Sequence, residues 1–523
     1  MDDSRKSFLR TSIAFLFFFF ALISFFSVTT PVFAGPDDDY HLASIWCADG
    51  QNSRMCSEFT SDEYTTYGKI PADLSGLLSC KSRDISISLN CKDYAKFGTA
   101  SLMRINDGSY PSIFYKFFNL FVFQDSLNSI VIMRLINSFI IFLSICFTIA
   151  LLPVRSLSKI FQSIFLLLVP FPLFLMGTNN PQSWSVILII PVYFIFTSIL
   201  IDLNSQKRKI LILQNLFLLV TFFMIIGSRG DGMYLILFLI VIVCSANLKH
   251  MDKYRILIVG ILIFATFVFN RIFGPKKFAL AVSNMESEGR PFTLHNILEL
   301  PGFLLGIFGA KGDSGYLSLG SYDLPLPSIS WVAIVLSILL LLSGGYGNKS
   351  HKFTFVVGSF GVAFICLYGM NQQLANTSGF LQPRYLLGFV FITLLVGIDK
   401  NLDQISQRRY FAVLSLTTVG YASFMYAVIL RYSSGIRVET SEYLQMFAAP
   451  NTYVAKSTIH WEWFSGSVHG LYSLNSVLIF SLMLLLSLCL AASLHVMRRY
   501  YLRLDSVSQR NTLFGVNLLS KSN

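Results

Sequence analysis

Along most of the chain, uninterrupted runs of about 20 apolar residues are separated by short polar connections. As a helix, a run of that length spans about 30 Å of hydrocarbon. The runs predict helices near 8–32, 127–152, 157–176, 182–201, 209–227, 232–248, 254–272, 328–345, 352–370, 384–399, 409–430 and 474–497. The expected fold class is an all-α polytopic membrane protein with about twelve transmembrane helices. A further stretch, 293–309, is short and interrupted by His295, Glu299 and Pro301, and reads as an interfacial or re-entrant piece.

Charge gives these helices an orientation. Every second connection is rich in Lys and Arg: Arg155 and Lys159; Lys207, Arg208 and Lys209; Lys249, Lys253 and Arg255; Lys349 and Lys352; Lys400, Arg408 and Arg409; Arg498, Arg499 and Arg503. By the positive-inside rule these connections and both termini are cytoplasmic. The chain then divides into an N-terminal tip with the first helix (1–32), an extracytoplasmic loop (33–126), helices two to seven (127–272) and a second outer loop (273–327). Helices eight to eleven (328–430), a third outer loop (431–473) and the last helix with its cytoplasmic tail (474–523) complete it. The first run follows Arg5, Lys6 and Arg10 and ends in Pro31-Val32-Phe33-Ala34-Gly35, a passable signal-peptidase site. Its length exceeds that of a typical signal peptide, so it is read as a retained first helix.

Composition agrees with a lipid solvent, because 54% of the 523 residues are apolar and only 13% charged, against roughly 25% charged in soluble domains. The net charge of +12 does not imply a nucleic-acid partner, since the basic residues lie between hydrophobic runs and not on a polar domain. Any active site must be built from loops and helix ends at the membrane. Four of the eight cysteines, Cys47, Cys56, Cys80 and Cys91, share the first outer loop. In an oxidising compartment they suggest two disulfides, of which Cys47–Cys56 with Cys80–Cys91 is the most local of three pairings.

Candidate chemistry gathers on the outer face. Directly after the first helix comes Gly35-Pro36-Asp37-Asp38-Asp39-Tyr40-His41. Carboxylates so crowded repel one another, so one can be tuned as a general base, or all can be held ionised by a metal or a basic partner. A helix cap with a solvated acidic turn would use the same residue types. The same face receives Asn179-Asn180-Pro181, Arg229-Gly230-Asp231 and Gln382-Pro383-Arg384-Tyr385. Arg229 and Arg384 suit a phosphate through their bidentate forks, or they snorkel toward lipid headgroups. Arg134 lies inside the second helix, where an unpaired charge costs about 2.5–3.5 kcal/mol, so it should meet a partner and can reach up toward the acidic cluster. The aromatic segment from Tyr110 to Phe118 reads as a belt at the membrane surface.

The acidic motif after the first helix, the many further helices and the short inner loops resemble the lipid-linked-sugar-dependent glycosyltransferases of the C superfamily. More narrowly, Pro36-Asp37-Asp38-x-x-His41 resembles the Pro-Asp-Glu-x-x-His opening of a bacterial family of polytopic membrane proteins of unassigned function. Asn180-Pro181 and Gln382-Pro383-Arg384-Tyr385 resemble that family's Asn-Pro-Ser and Gln-Gly-Arg-Tyr signatures. Asp38 stands where Glu is usual, Leu42 replaces an aromatic residue and Pro383 replaces Gly. The resemblance implies an enzyme of the bacterial inner membrane that moves a sugar from a polyprenyl-phosphate carrier to a glycan or glycolipid acceptor of the envelope. Asp37 or Asp38 would be the general base and Arg229 or Arg384 would stabilise the leaving phosphate, with His41, Arg134, Asn180 and Tyr385 as further substrate-binding candidates. The carboxylates, Asp37 and Asp39 among them, could supply hard oxygen ligands to Mg or Mn, and members of the superfamily differ in needing a metal.

Rival functions are a transporter or flippase of lipid-linked or polar substrates, and a polysaccharide polymerase or ligase. Transporters place charges near the bilayer midplane and often carry internal repeats. Here, Arg134 apart, the helix interiors are nearly charge-free and no repeat is evident.

Overall fold

The structure, a computed structural model, describes residues 3–32, 35, 37–50, 55–61, 65–79, 98–167, 171–203, 207–276, 300, 304, 327–343, 349–371, 383–433, 437–439, 458–460, 467–469 and 473–519. The expected disulfide partners Cys80 and Cys91, and nearly all of 293–309, lie outside them. The chain is predominantly helical. Among the described residues, 7 helices are long and apolar enough to cross a membrane: Lys6–Thr29, Ser126–Leu151, Gln182–Asp202, Arg208–Ser228, Lys253–Phe273, Gln407–Arg431 and Ser476–Tyr500. Ser156–Leu167, Gly232–Ala246, Ser328–Leu342, His351–Leu367 and Leu387–Asp399 are shorter apolar helices.

The first helix, α1 (Asp3–Thr29), shows how the bundle packs. Phe15, Phe19, Leu22, Ile23 and Phe26 fall on one helical stripe and are buried, whereas Leu9, Ile13 and Phe17 on the other side are exposed by 51%, 59% and 67%. An exposed apolar stripe of this kind suits lipid contact. The buried stripe packs along the last helix and α5 (Ser126–Leu151), with Phe15 against Phe161 and Phe26 against Phe174 and Phe424.

One of the expected helices is interrupted: the run 182–201 forms α8 (Gln182–Ile187) and α9 (Ile189–Asp202), with a turn at Leu188. Pro191 explains this break, since without an N–H it cannot bond the Ile187 carbonyl four residues back. Of the run 157–176, the described residues form α6 (Val154–Leu167) and α7 (Phe171–Met176). The last helix runs on to Leu519, beyond its apolar stretch.

The segment between the first two long helices carries regular structure that the apolar pattern does not announce. It contains α2 (Asp38–Trp46), α3 (Ala72–Ser79), α4 (Ser112–Asn119) and an antiparallel sheet of β1 (Ser57–Ser61), β2 (Thr66–Ile70) and β3 (Ser101–Ile105) in that order. These elements cap one end of the bundle: α2 packs on β3 and α4, α3 touches α5, and α4 lies on α10 (Arg208–Ser228). The Cys47–Cys56 disulfide ties the end of α2 to the residue before β1, as the local pairing predicted. Gly68 on β2 admits this bridge, because a Cβ there would lie 2.7 and 2.8 Å from the two sulfurs.

At the other end of the bundle, basic side chains close helix termini. Arg498 donates from Nη1 and Nη2 to the carbonyls of Leu402 and Ile405, each at 2.7 Å. Arg255 Nε donates to the Leu200 carbonyl at 2.5 Å, and Lys159 pairs with Asp399 at 3.0 Å. These carbonyls belong to last turns that have no partner within their own helices. Residues that the charge pattern used as orientation signals therefore also satisfy backbone groups.

Candidate functional site

The acidic turn resolves into three different environments because it starts a helix, in which successive side chains point about 100° apart. Asp38 opens α2 and turns inward, 1% exposed. Arg134 Nη2, from α5, lies 3.4 Å from its Oδ2. Arg134 also donates to the carbonyls of Thr30 at 2.6 Å and Pro31 at 3.1 Å, so the charge buried in the second spanning helix closes the end of the first. The Gly35 amide donates to the same Asp38 oxygen at 3.3 Å. Only glycine fits at 35, where a Cβ would sit 2.8 Å from the Asp38 carboxyl and from Thr178 Cγ2.

Asp37 is held differently. It occupies the N-cap position of α2 at φ 56° and ψ 23°, the left-handed region, and its side chain makes no capping hydrogen bond. Left-handed non-glycine residues carry strain that the surrounding structure must support, and they concentrate at functional sites. The carboxylate is partly exposed, as is that of Asp39.

An aromatic cluster stands beside this turn. His41 Nδ1 and the Tyr115 hydroxyl are hydrogen-bonded at 2.9 Å, both buried. The Tyr110 ring meets His41 edge-on at 5.4 Å and lies 5.8 Å from Tyr40. Asn106 fixes Tyr110 at both backbone groups, accepting from its N–H at 3.1 Å and donating to its carbonyl at 2.9 Å. The Asn106 amide in turn donates to Ser44 of α2 at 2.8 Å, so the Tyr110 loop moves with the helix that begins at the acidic turn.

The second charged group arrives from another part of the chain. Arg229, just after α10, donates from Nε and Nη2 to the two carboxylate oxygens of Asp231, at 2.7 and 2.8 Å. Its guanidinium lies over the Tyr385 ring, 4.9 Å from the centroid. Tyr385 comes from the 3₁₀ turn Pro383–Leu386 that leads into the helix Leu387–Gln404. Tyr110 joins the two halves: its hydroxyl is within electrostatic reach of Tyr385, Arg229, Asp37 and Tyr40. Burial raises the phenols of Tyr110 and Tyr115 well above the ordinary tyrosine range, and Tyr40 is pushed up to about 12, chiefly by burial. All three are neutral hydrogen-bonding groups at physiological pH.

Several sequence candidates thus converge, and others do not. His41 packs on Tyr110, whose phenol also feels Asp37, Arg229 and Tyr385 electrostatically, while Asp38 and Arg134 form a buried pair at the start of α2. Asn180 accepts from the Gln182 amide at 2.9 Å, a local turn at the start of α8. The Arg384 side chain lies outside the described residues. Among the described residues no group of three or more His, Cys, Asp or Glu side chains gathers as a metal site requires. With Asp38 committed to Arg134, Asp37 and Asp39 alone would leave most of the roughly six oxygen ligands of Mg or Mn to water.

Three features escaped the sequence reading. Tyr110 looked like one ring of a belt, although Asn106 and Gly108 (φ 100°) before it signal a tight turn. Asp231 has no role of its own in the sequence reading, although it holds the Arg229 fork bidentately. Asn137, one turn below Arg134, accepts from Trp184 Nε1 at 2.9 Å and exchanges hydrogen bonds with Ser183, which ties α5 to α8 beneath the site.

No curated protein and no solved structure matches the chain. Residues 17–393 match the family model described as "Predicted membrane protein (DUF2142)", a stretch that contains the acidic turn, Arg134, Arg229 and Tyr385. The chain belongs to this family of membrane proteins of unknown function.

Proposed function

We propose that the chain is a membrane glycosyltransferase of the C-superfamily type, which transfers a sugar from a polyprenyl-phosphate carrier to an envelope glycan or glycolipid. It acts at the extracytoplasmic face of the bacterial inner membrane, with about twelve spans and both termini cytoplasmic. The seven long apolar helices and the five shorter ones fall on the twelve apolar runs in order, which supports that count. The placement of Arg498, Arg255 and Lys159 at the end opposite the acidic turn supports the orientation.

The observation that carries the proposal is that α4, which begins just after Tyr110, packs on α10 with Ile113 against Gly227, and so brings the acidic turn and Arg229 to the same end of the bundle from widely separated parts of the chain. Of the two carboxylates expected as base, Asp37 is the better placed, because Asp38 is withdrawn from solvent in its pair with Arg134. The acceptor hydroxyl gives its proton to the Asp37 carboxylate as its oxygen bonds to the anomeric carbon. The bond from that carbon to the carrier phosphate breaks, and the electron pair stays on the phosphate oxygen. Arg229 stabilises this charge, with Arg384 of the neighbouring turn as the alternative. Asp231 holds the Arg229 fork on two of its nitrogens and leaves Nη1 for the phosphate.

Deleting the gene should remove one sugar from an envelope glycan or glycolipid, and membranes that regain the protein should restore its transfer from labelled polyprenyl-phosphate sugar. An unchanged envelope sugar profile would sink the proposal and favour the transporter reading.

A further inference from the structure

A phosphate group alone does not explain the chemistry around Tyr110. A site built only for an anion presents cations and amide N–H groups, yet the Arg229 guanidinium is paired with the Asp231 carboxylate, and Asp37 is a further carboxylate whose charge reaches Tyr110. Two tyrosines that are not fully buried as residues, Tyr110 and Tyr385, influence one another electrostatically in this region. Such a mixture suits a ligand that has both hydroxyls and an apolar face. Sugar hydroxyls donate to carboxylates and accept from phenols and guanidinium, while the C–H face of a pyranose packs on an aromatic ring.

The two rings are also held in place before any ligand arrives. Asn106 clamps Tyr110 at its N–H and carbonyl, and His41 and Tyr40 pack against its ring. Arg229 lies over Tyr385, and Asp231 fixes that guanidinium bidentately. Rings fixed in this way lose little freedom on binding, which favours selective recognition. A belt tyrosine at a lipid surface needs neither a side-chain clamp on its backbone nor a carboxylate within reach.

We infer that Tyr110 and Tyr385 form a saccharide-binding site between Asp37 and Arg229, and so determine which sugar the protein accepts. The inference rests on the proposed glycosyltransferase reading and assigns the parts of the donor: its phosphate to Arg229, its sugar ring to the two tyrosines. Tyr110 is then a substrate-binding residue and Asn106 a positioning residue that acts through it.

The test is binding, with the full chain in lipid nanodiscs. The probes are short-chain polyprenyl phosphates bearing glucose, galactose, mannose, N-acetylglucosamine or arabinose, each compared with the sugar-free polyprenyl phosphate. At least one glycosylated probe should bind about tenfold tighter than the sugar-free one. Tyr110→Ala should abolish that advantage and leave affinity for the sugar-free probe unchanged, whereas Tyr385→Ala, which also removes the ring beneath Arg229, should abolish the advantage and weaken binding of every probe. Tyr110→Phe keeps the packing and should retain part of it, which separates ring stacking from a folding defect, and thermal unfolding is followed for every variant. Equal binding of all probes to the wild type, or an advantage that survives both Ala substitutions, overturns the saccharide site and leaves the phosphate site standing. If no polyprenyl phosphate binds, with or without sugar, the glycosyltransferase reading fails and the saccharide site falls with it.

Discussion

Arg134 Nη2 lies 3.4 Å from the Asp38 carboxylate, and the two side chains are 0% and 1% exposed. Breaking such a pair from one side leaves an uncompensated buried charge, typically at a cost of about 3–5 kcal/mol. Asp38→Asn and Arg134→Gln should each lower the unfolding midpoint sharply in detergent or nanodiscs. The double variant Asp38→Asn/Arg134→Gln should lose less than the sum of the two. Independent, additive losses would show that the pair is not the support described above.

Asn137 makes a second prediction possible. Asn137→Leu removes the acceptor of Trp184 Nε1 and the partner of Ser183, leaving buried donors unsatisfied at about 1–3 kcal/mol. The loss should appear in thermal unfolding. Wild-type stability would mean that the α5–α8 tie contributes nothing.

The helix positions are legible in the sequence because the bilayer demands long apolar runs, and a run of that kind has few other uses. The break at Leu188 is not, since an apolar composition is the same on both sides of a turn. The site is legible only in part. Arg134 announces a partner because a lone charge in a helix interior is costly, but three successive aspartates look alike until the start of α2 sends Asp38 inward and leaves Asp37 left-handed. Tyr110 was hidden among neighbouring aromatics, and what distinguishes it is the Asn106 clamp, a tertiary feature.

The disulfide predicts a defined thiol pattern. Peptide mapping without reduction should recover Cys47 joined to Cys56 and leave Cys146, Cys244, Cys366 and Cys489 as thiols. Replacing Cys47 and Cys56 together by Ser should destabilise the cap that holds the disulfide by about 2–3 kcal/mol. Recovery of Cys47 linked to Cys80 or Cys91 would contradict the structure.

Orientation can be read by labelling single cysteines placed at two exposed positions, Glu58 in the cap over the acidic turn and Arg408 at the opposite end. An impermeant maleimide applied to intact cells should label position 58 and not 408. The reverse pattern would put the acidic turn in the cytoplasm.

Tyr40 ties stability to high pH. Its hydroxyl has a folded value of about 12 against an ordinary 10, so folding favours the neutral phenol. The corresponding stability is fully present below pH 10 and is lost as pH rises toward 12. The unfolding midpoint should fall over that window, and Tyr40→Phe should flatten the fall. An identical pH profile in Tyr40→Phe would assign the loss elsewhere.

The central claim is that Asp37 deprotonates the acceptor while Asp38 only supports the site. Asp37→Asn keeps shape and removes basicity, so it should lower the rate of sugar transfer in reconstituted membranes by about 100- to 10,000-fold and leave the unfolding midpoint near that of the wild type. Wild-type transfer by Asp37→Asn, with the protein folded, would contradict the account.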